Sequence, residues 1–163
     1  MFKLAKRLTL LMPILLVAGG LAVIPYGSPG ESRGFAAPLP TPAGGNPPFS
    51  SYKGVSIGMS IDEVRDKLGK TKEPSEAMDY YAPAGDEFIQ VYYEAKAVTA
   101  LTVTFKGNLD SAPNPKTVFG ENAEVKPDGG IFKMVRYPKA GFWISYNKIS
   151  GDDPVIMIAI KKI

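Results

Sequence analysis

The sequence predicts an α+β protein: one meandering antiparallel sheet of about six strands, with a short helix packed on one face. Three observations predict it. A capping box and a glycine stop delimit a single short helix near residue 60. Beyond it the apolar period changes from 3.6 to 2, the mark of strands with one covered face. The order of helix, strand, strand, strand then recurs in degenerate form about 51 to 56 residues later, as Leu68→Phe119 and Tyr81→Tyr137 show.

The helix is expected over 60–68. Ser60 and Glu63 have the spacing at which each side chain satisfies the other's backbone amide. Asp62 and Glu63 suit the positive first turn, Ile61, Val64 and Leu68 share one face, and Gly69 offers a left-handed stop. Strands follow at 77–82, 88–94 and 98–105, with turns at Pro83–Asp86 and Ala95-Lys96. The second copy, about 116–160, opens on at most one helical turn around Lys116–Phe119, because Pro113 and Pro115 interrupt it. Its strands are expected at 131–137, 142–146 and 155–160. The first copy spans about 58–105. The predicted core is Ile61, Val64, Leu68, Ile89, Val91, Tyr93, Leu101, Val103, Ile144, Tyr146, Ile156, Ile158 and Ile160.

Residues 1–24 read as a signal peptide or an N-terminal anchor. Lys3, Lys6 and Arg7 precede an apolar run from Leu8 to Ile24. Either reading places the remainder outside the cytoplasm, periplasmic or secreted, with residues 8–24 the tether if the segment is not cleaved. Residues 25–51 form a Pro/Gly-rich linker, and 52–163 a single domain.

Composition removes several classes of function. The chain has no Cys and no His, hence no disulfide, no thiol or His-based nucleophile machinery, no Cys/His metal site and no lipid-bearing Cys. It has 19 Lys+Arg against 16 Asp+Glu, a net charge of +3. Lys3, Lys6, Arg7 and Arg33 against Glu31 account for all of it within residues 1–37, which leaves 15 of each sign beyond. A neutral domain gives no reason to expect nucleic acid. The pairs Asp62-Glu63, Asp86-Glu87 and Asp152-Asp153 fall in a cap and in turns, and no nucleotide-binding glycine motif is present. The reading is therefore non-enzymatic, with no catalytic residue, no metal and no cofactor.

By alternation, Phe88, Tyr92, Trp143, Val155 and Met157 point away from the helix, a composition suited to binding a partner. Ser60, Glu63 and Gly69 are structural cap residues. The expected function is a non-catalytic exported binding or scaffolding domain of the cell envelope, its partner another envelope or secreted protein. A small-molecule or lipid-binding module using the second sheet face is the alternative. A structural homodimer is the third.

The stretch Gly58-Met59-Ser60-Ile61-Asp62-Glu63-Val64-Arg65-Asp66-Lys67-Leu68-Gly69 resembles the helix-and-cap motif of SmpA/OmlA-like envelope proteins. The tandem plan resembles the β-lactamase-inhibitor-protein-like superfamily. The resemblance implies an exported, non-enzymatic domain that binds proteins through its sheet or loops. Members of the first family are typically lipoproteins, and this chain lacks the Cys that would carry the lipid.

Overall fold

The computed structural model describes residues 47–71, 73–83 and 85–163. The signal or anchor segment 1–24 and the linker as far as residue 46 lie outside the described residues. The chain is α+β. It carries β1 (Ser51–Tyr52), β2 (Val55–Ser56), α1 (Ile61–Leu68), β3 (Met78–Tyr81), β4 (Glu87–Glu94), β5 (Ala97–Lys106), α2 (Pro115–Phe119), β6 (Ile131–Tyr137), β7 (Phe142–Ile149) and β8 (Val155–Lys162). The last six strands in chain order, β3 to β8, form one antiparallel sheet in the order β3-β4-β5-β8-β7-β6. It is two three-stranded meanders joined at their last strands. β5 is followed in the sheet by β8 rather than β6, through pairs such as Leu101 with Ile160 and Val103 with Ile158.

A two-stranded sheet, β1 with β2, was not expected from the sequence. Its turn is Lys53-Gly54, both with positive φ (47° and 79°), the backbone that a tight hairpin needs. Val55 is fully buried, Tyr52 meets Phe105 edge-on at 6.3 Å, and Phe49 belongs to the core. The packed chain thus starts before residue 52, inside the stretch read as linker.

α1 starts as the sequence indicates. The Ser60 amide donates to Glu63 Oε2 at 2.8 Å, and the Glu63 amide donates to Ser60 Oγ at 3.3 Å. Its end differs from expectation. Gly69 has φ +83° but ψ −163°, an extended conformation open almost only to glycine, so the helix is stopped without a left-handed cap. α2 takes Asn114 as its cap and Pro115 at its first position, where a missing N–H costs nothing. Its stop, Gly120, is left-handed.

Alternation gives the sheet two unlike faces. The inner face carries Tyr81, Ile89, Val91, Tyr93, Leu101, Val103, Phe105, Ile144, Tyr146, Ile156, Ile158 and Ile160, all buried in one cluster with Ile61 and Val64 of α1. The outer face carries residues that are half-buried or exposed. A bulge between Tyr92 and Tyr93 sets Tyr92 opposite Ala100 but Tyr93 opposite Val98, leaving Thr99 as the extra residue.

Among the described residues, the inner face wholly buries one charged residue. Asp79 of β3 is wholly buried. Arg65 of α1 holds it at both oxygens, Nε to Oδ2 at 2.9 Å and Nη2 to Oδ1 at 3.0 Å. The hydroxyls of Tyr93 and Tyr81 donate to Oδ2 at 3.0 and 3.2 Å, and the Ser75 amide donates to Oδ1 at 3.3 Å. Burial alone raises the carboxyl, but Arg65, Ser75 and Tyr93 together outweigh it and hold the group below its usual 3.8. Burial and the adjacent carboxylate push Tyr81 up to about 12 and Tyr93 higher still.

Removing the two partners should have unequal consequences. Arg65→Met leaves a buried carboxylate without its countercharge and should cost about 3–5 kcal/mol in urea melts at neutral pH. Asp79→Asn should cost less, because the Arg65 side chain is about one-third exposed (32%) and can turn to water. The native Asp79 value is depressed, so its stabilisation is present above the usual 3.8 and is lost as pH falls from there through the native value. Asp79→Asn should remove that step from the acid limb of the stability profile.

Candidate functional site

The outer face is built in rows across the strands. One row runs Met78, Tyr92, Ala100, Lys161, Trp143, Arg136. The next runs Tyr80, Gln90, Thr102, Ala159, Ser145, Met134. In the first row Tyr92 and Trp143 stand on β4 and β7 with Ala100 and Lys161 between them, and in the second the small Thr102 and Ala159 lie on the central strands β5 and β8. The result is a trough of about 500 Å³ with Ala100, Thr102 and Ala159 as floor and Tyr92 and Trp143 as walls. Tyr92 and Trp143 stand three strand spacings apart in their row, about 14 Å between backbones. Glu94 and Lys161 supply one charge of each sign, and the bulged Thr99 lies at the same end.

Bulge and trough are linked. The extra residue bends β5 and lets its strand pair continue without burying Thr99, whose hydroxyl reaches the Tyr92 carbonyl at 3.4 Å. Tyr92 is 38% exposed and Trp143 half-buried, so both present ring surface to solvent.

Register places all five residues of the expected binding face on this outer side, but in separate groups. Tyr92 and Trp143 share the trough. Phe88 and Met157 lie in a third row, Phe88–Thr104–Met157–Asn147–Phe132. Phe88 is stacked on Tyr80 at 6.1 Å and covered by the Lys106 ammonium at 5.4 Å. Val155 sits beyond them between Lys106 and Ile149. The sequence reading missed the floor, Ala100, Thr102 and Ala159, and the charged flank, Lys161. The small residues alternate visibly in their strands, but nothing in the sequence says that β5 and β8 lie side by side.

The acidic pairs lie elsewhere. Asp62 and Glu63 open α1, Asp86 ends the turn before β4, and Glu87 opens that strand and pairs with Lys53 at 2.9 Å. Among the described residues no cluster of three or more carboxylates could hold a metal ion, and no helix is long and apolar enough to cross a membrane. Comparison with protein-family models, with curated proteins and with solved structures finds no match to the chain.

The two faces should respond differently to truncation. Tyr92→Ala and Trp143→Ala should each shift unfolding by about 1 kcal/mol or less, followed by circular dichroism in urea. Ile144→Ala, one residue along β7 and fully buried, should cost about 2–5 kcal/mol.

Proposed function

We propose that the protein is a non-catalytic exported binding domain, and that it holds an apolar group of a partner protein of the cell envelope or extracellular space between Tyr92 and Trp143. The observation that carries this reading is the trough itself. Two aromatic walls over a floor of small side chains leave space on a face with no apolar cover among the described residues. Aromatic side chains that keep ring area exposed at little conformational cost are the usual anchors of protein recognition. Lys161, between Ala100 and Trp143 in the row, and Glu94 give a partner's charges something to align with.

The extracytoplasmic location rests on the basic, then apolar, residues 1–24. The resemblance of Gly58–Gly69 to the SmpA/OmlA-like motif agrees with it. Two further features support descent from a duplicated helix-plus-three-strand unit, with α1 covering the inner face. One is the sheet order, in which β3-β4-β5 and β8-β7-β6 mirror one another. The other is the pair of capped helices, each ending at a glycine ahead of its three strands.

A second reading has an observation of its own. A volume of about 500 Å³ lies in the range of small-molecule pockets, so a lipid or other apolar ligand is the alternative occupant.

The test is capture by photo-crosslinking in envelope fractions of the source cells, with native mass spectrometry of the purified chain beside it. The proposal expects a protein adduct that is lost in the Tyr92→Ser, Trp143→Ser double variant, and a purified chain of ligand-free mass. An adduct that survives the double variant overturns the site. A co-purified small molecule that the double variant releases favours the second reading.

A further inference from the structure

The two rims of the large sheet are finished differently. β3 and β6 are the rim strands, and alternation fixes which of their backbone groups turn away from the sheet. On β3 the Ala77 carbonyl accepts from Tyr93, so the outward groups belong to Met78 and Tyr80. One outward group of each is satisfied locally. The Met78 amide donates to Ser75 Oγ at 3.3 Å, and the Tyr80 carbonyl accepts from Thr71 Oγ1 at 2.9 Å. That rim is only four residues long and is partly closed.

β6 is seven residues long, without a proline or a bulge. Its inner-face residues Lys133, Val135 and Tyr137 turn their backbone groups toward β7, so Phe132, Met134 and Arg136 turn theirs outward. The same phase is seen just upstream, where the Gly130 carbonyl turns off the sheet to accept from Lys126 at 2.8 Å. Among the described residues, no hydrogen bond reaches the outward groups of Phe132, Met134 or Arg136. Phe132 is also 56% exposed. A long strand with free donors and acceptors is a template for another strand.

We propose that β6 joins a second copy of this chain, antiparallel about Met134, so that two sheets become one continuous ladder. The register follows from full overlap of the two strands and from the charges they carry. Met134 is the midpoint of Ile131–Tyr137 and is itself an outward residue. A two-fold axis through it pairs the full length of both strands. It also sets every outward residue against an outward residue: Phe132 against the partner's Arg136, and Met134 against the partner's Met134. Three such pairs give about six hydrogen bonds. Charge agrees with this register. The strand carries two cations, Lys133 and Arg136, yet neither stands opposite a like charge. Lys133 meets the partner's Val135, and Arg136 meets the partner's exposed Phe132 ring. The short, partly closed β3 rim ends the assembly at two copies, where a second long open rim would propagate it.

The test is amide exchange of the full chain in detergent solution across a range of protein concentrations. The proposal expects protection of the Phe132, Met134 and Arg136 amides that rises with concentration. Met134→Pro removes an N–H that its own sheet does not use, and should abolish that protection while β7 amides stay protected. Phe132→Lys should weaken association about tenfold by facing the partner's Arg136, and adding Arg136→Glu should restore it. Fast exchange at every concentration overturns the proposal and leaves the rim open to a strand of a different protein. Protection independent of concentration also overturns it, and means that the chain covers its own rim.

Discussion

A single buried carboxylate organises the first half of this protein. Asp79 accepts from a guanidinium, two phenols and a backbone amide, and those donors come from α1, β3, β4 and the segment between α1 and β3. A charge in an apolar core is tolerable only when its oxygens are fully occupied. The Arg65 fork also donates to the Ser75 carbonyl at 3.0 Å, and Ser75 Oγ in turn holds the amides of Ala77 and Met78. The same cluster that neutralises the core charge therefore also occupies the outward Met78 amide on the β3 rim. Fold stability and edge protection share one set of contacts.

The cluster also fixes which side chains face which way. With Asp79, Tyr81 and Tyr93 turned inward, Met78, Tyr80 and Tyr92 must turn outward, and a slip of one residue would exchange them. The pairing of β4 with β5, and of β5 with β8, carries that phase across the sheet to Trp143. The outer trough is thus a consequence of the inner core. Its aromatic walls stand where the large residues of β4 and β7 fall, and its floor where β5 and β8 place Ala100, Thr102 and Ala159. The far rim follows the same phase, which leaves Phe132, Met134 and Arg136 with outward backbone groups.

Much of this was legible before the structure. The capping box at Ser60 and Glu63 reads directly, because its partners lie three residues apart. The alternation Ile89, Val91, Tyr93 reads equally well, because one buried face imposes it. Three features were hidden for physical reasons. The β1–β2 hairpin has strands too short to show a period, although Lys53-Gly54 is a turn signal. In Met78–Tyr81 an aspartate at an alternating position looks like a solvent-facing residue. Its burial depends on Arg65 and Tyr93, each 14 positions away. The β5–β8 junction pairs strands with α2, β6 and β7 between them in the chain, and no local pattern marks such a distant pairing. Gly69 shows a smaller limit. The sequence marks where the helix stops, and packing decides which glycine conformation stops it.

The account rests on one claim, that the Asp79 cluster sets a phase in which one aromatic set is sealed and its neighbours are open. Hydroxyl-radical footprinting of the full chain reads this residue by residue. The account predicts fast modification of Tyr92, Trp143 and Met157, and protection of Tyr81, Tyr93 and Tyr146, with Tyr92 and Tyr93 differing although adjacent. Equal modification of Tyr92 and Tyr93, or protection of the outer set in the purified chain, would contradict it.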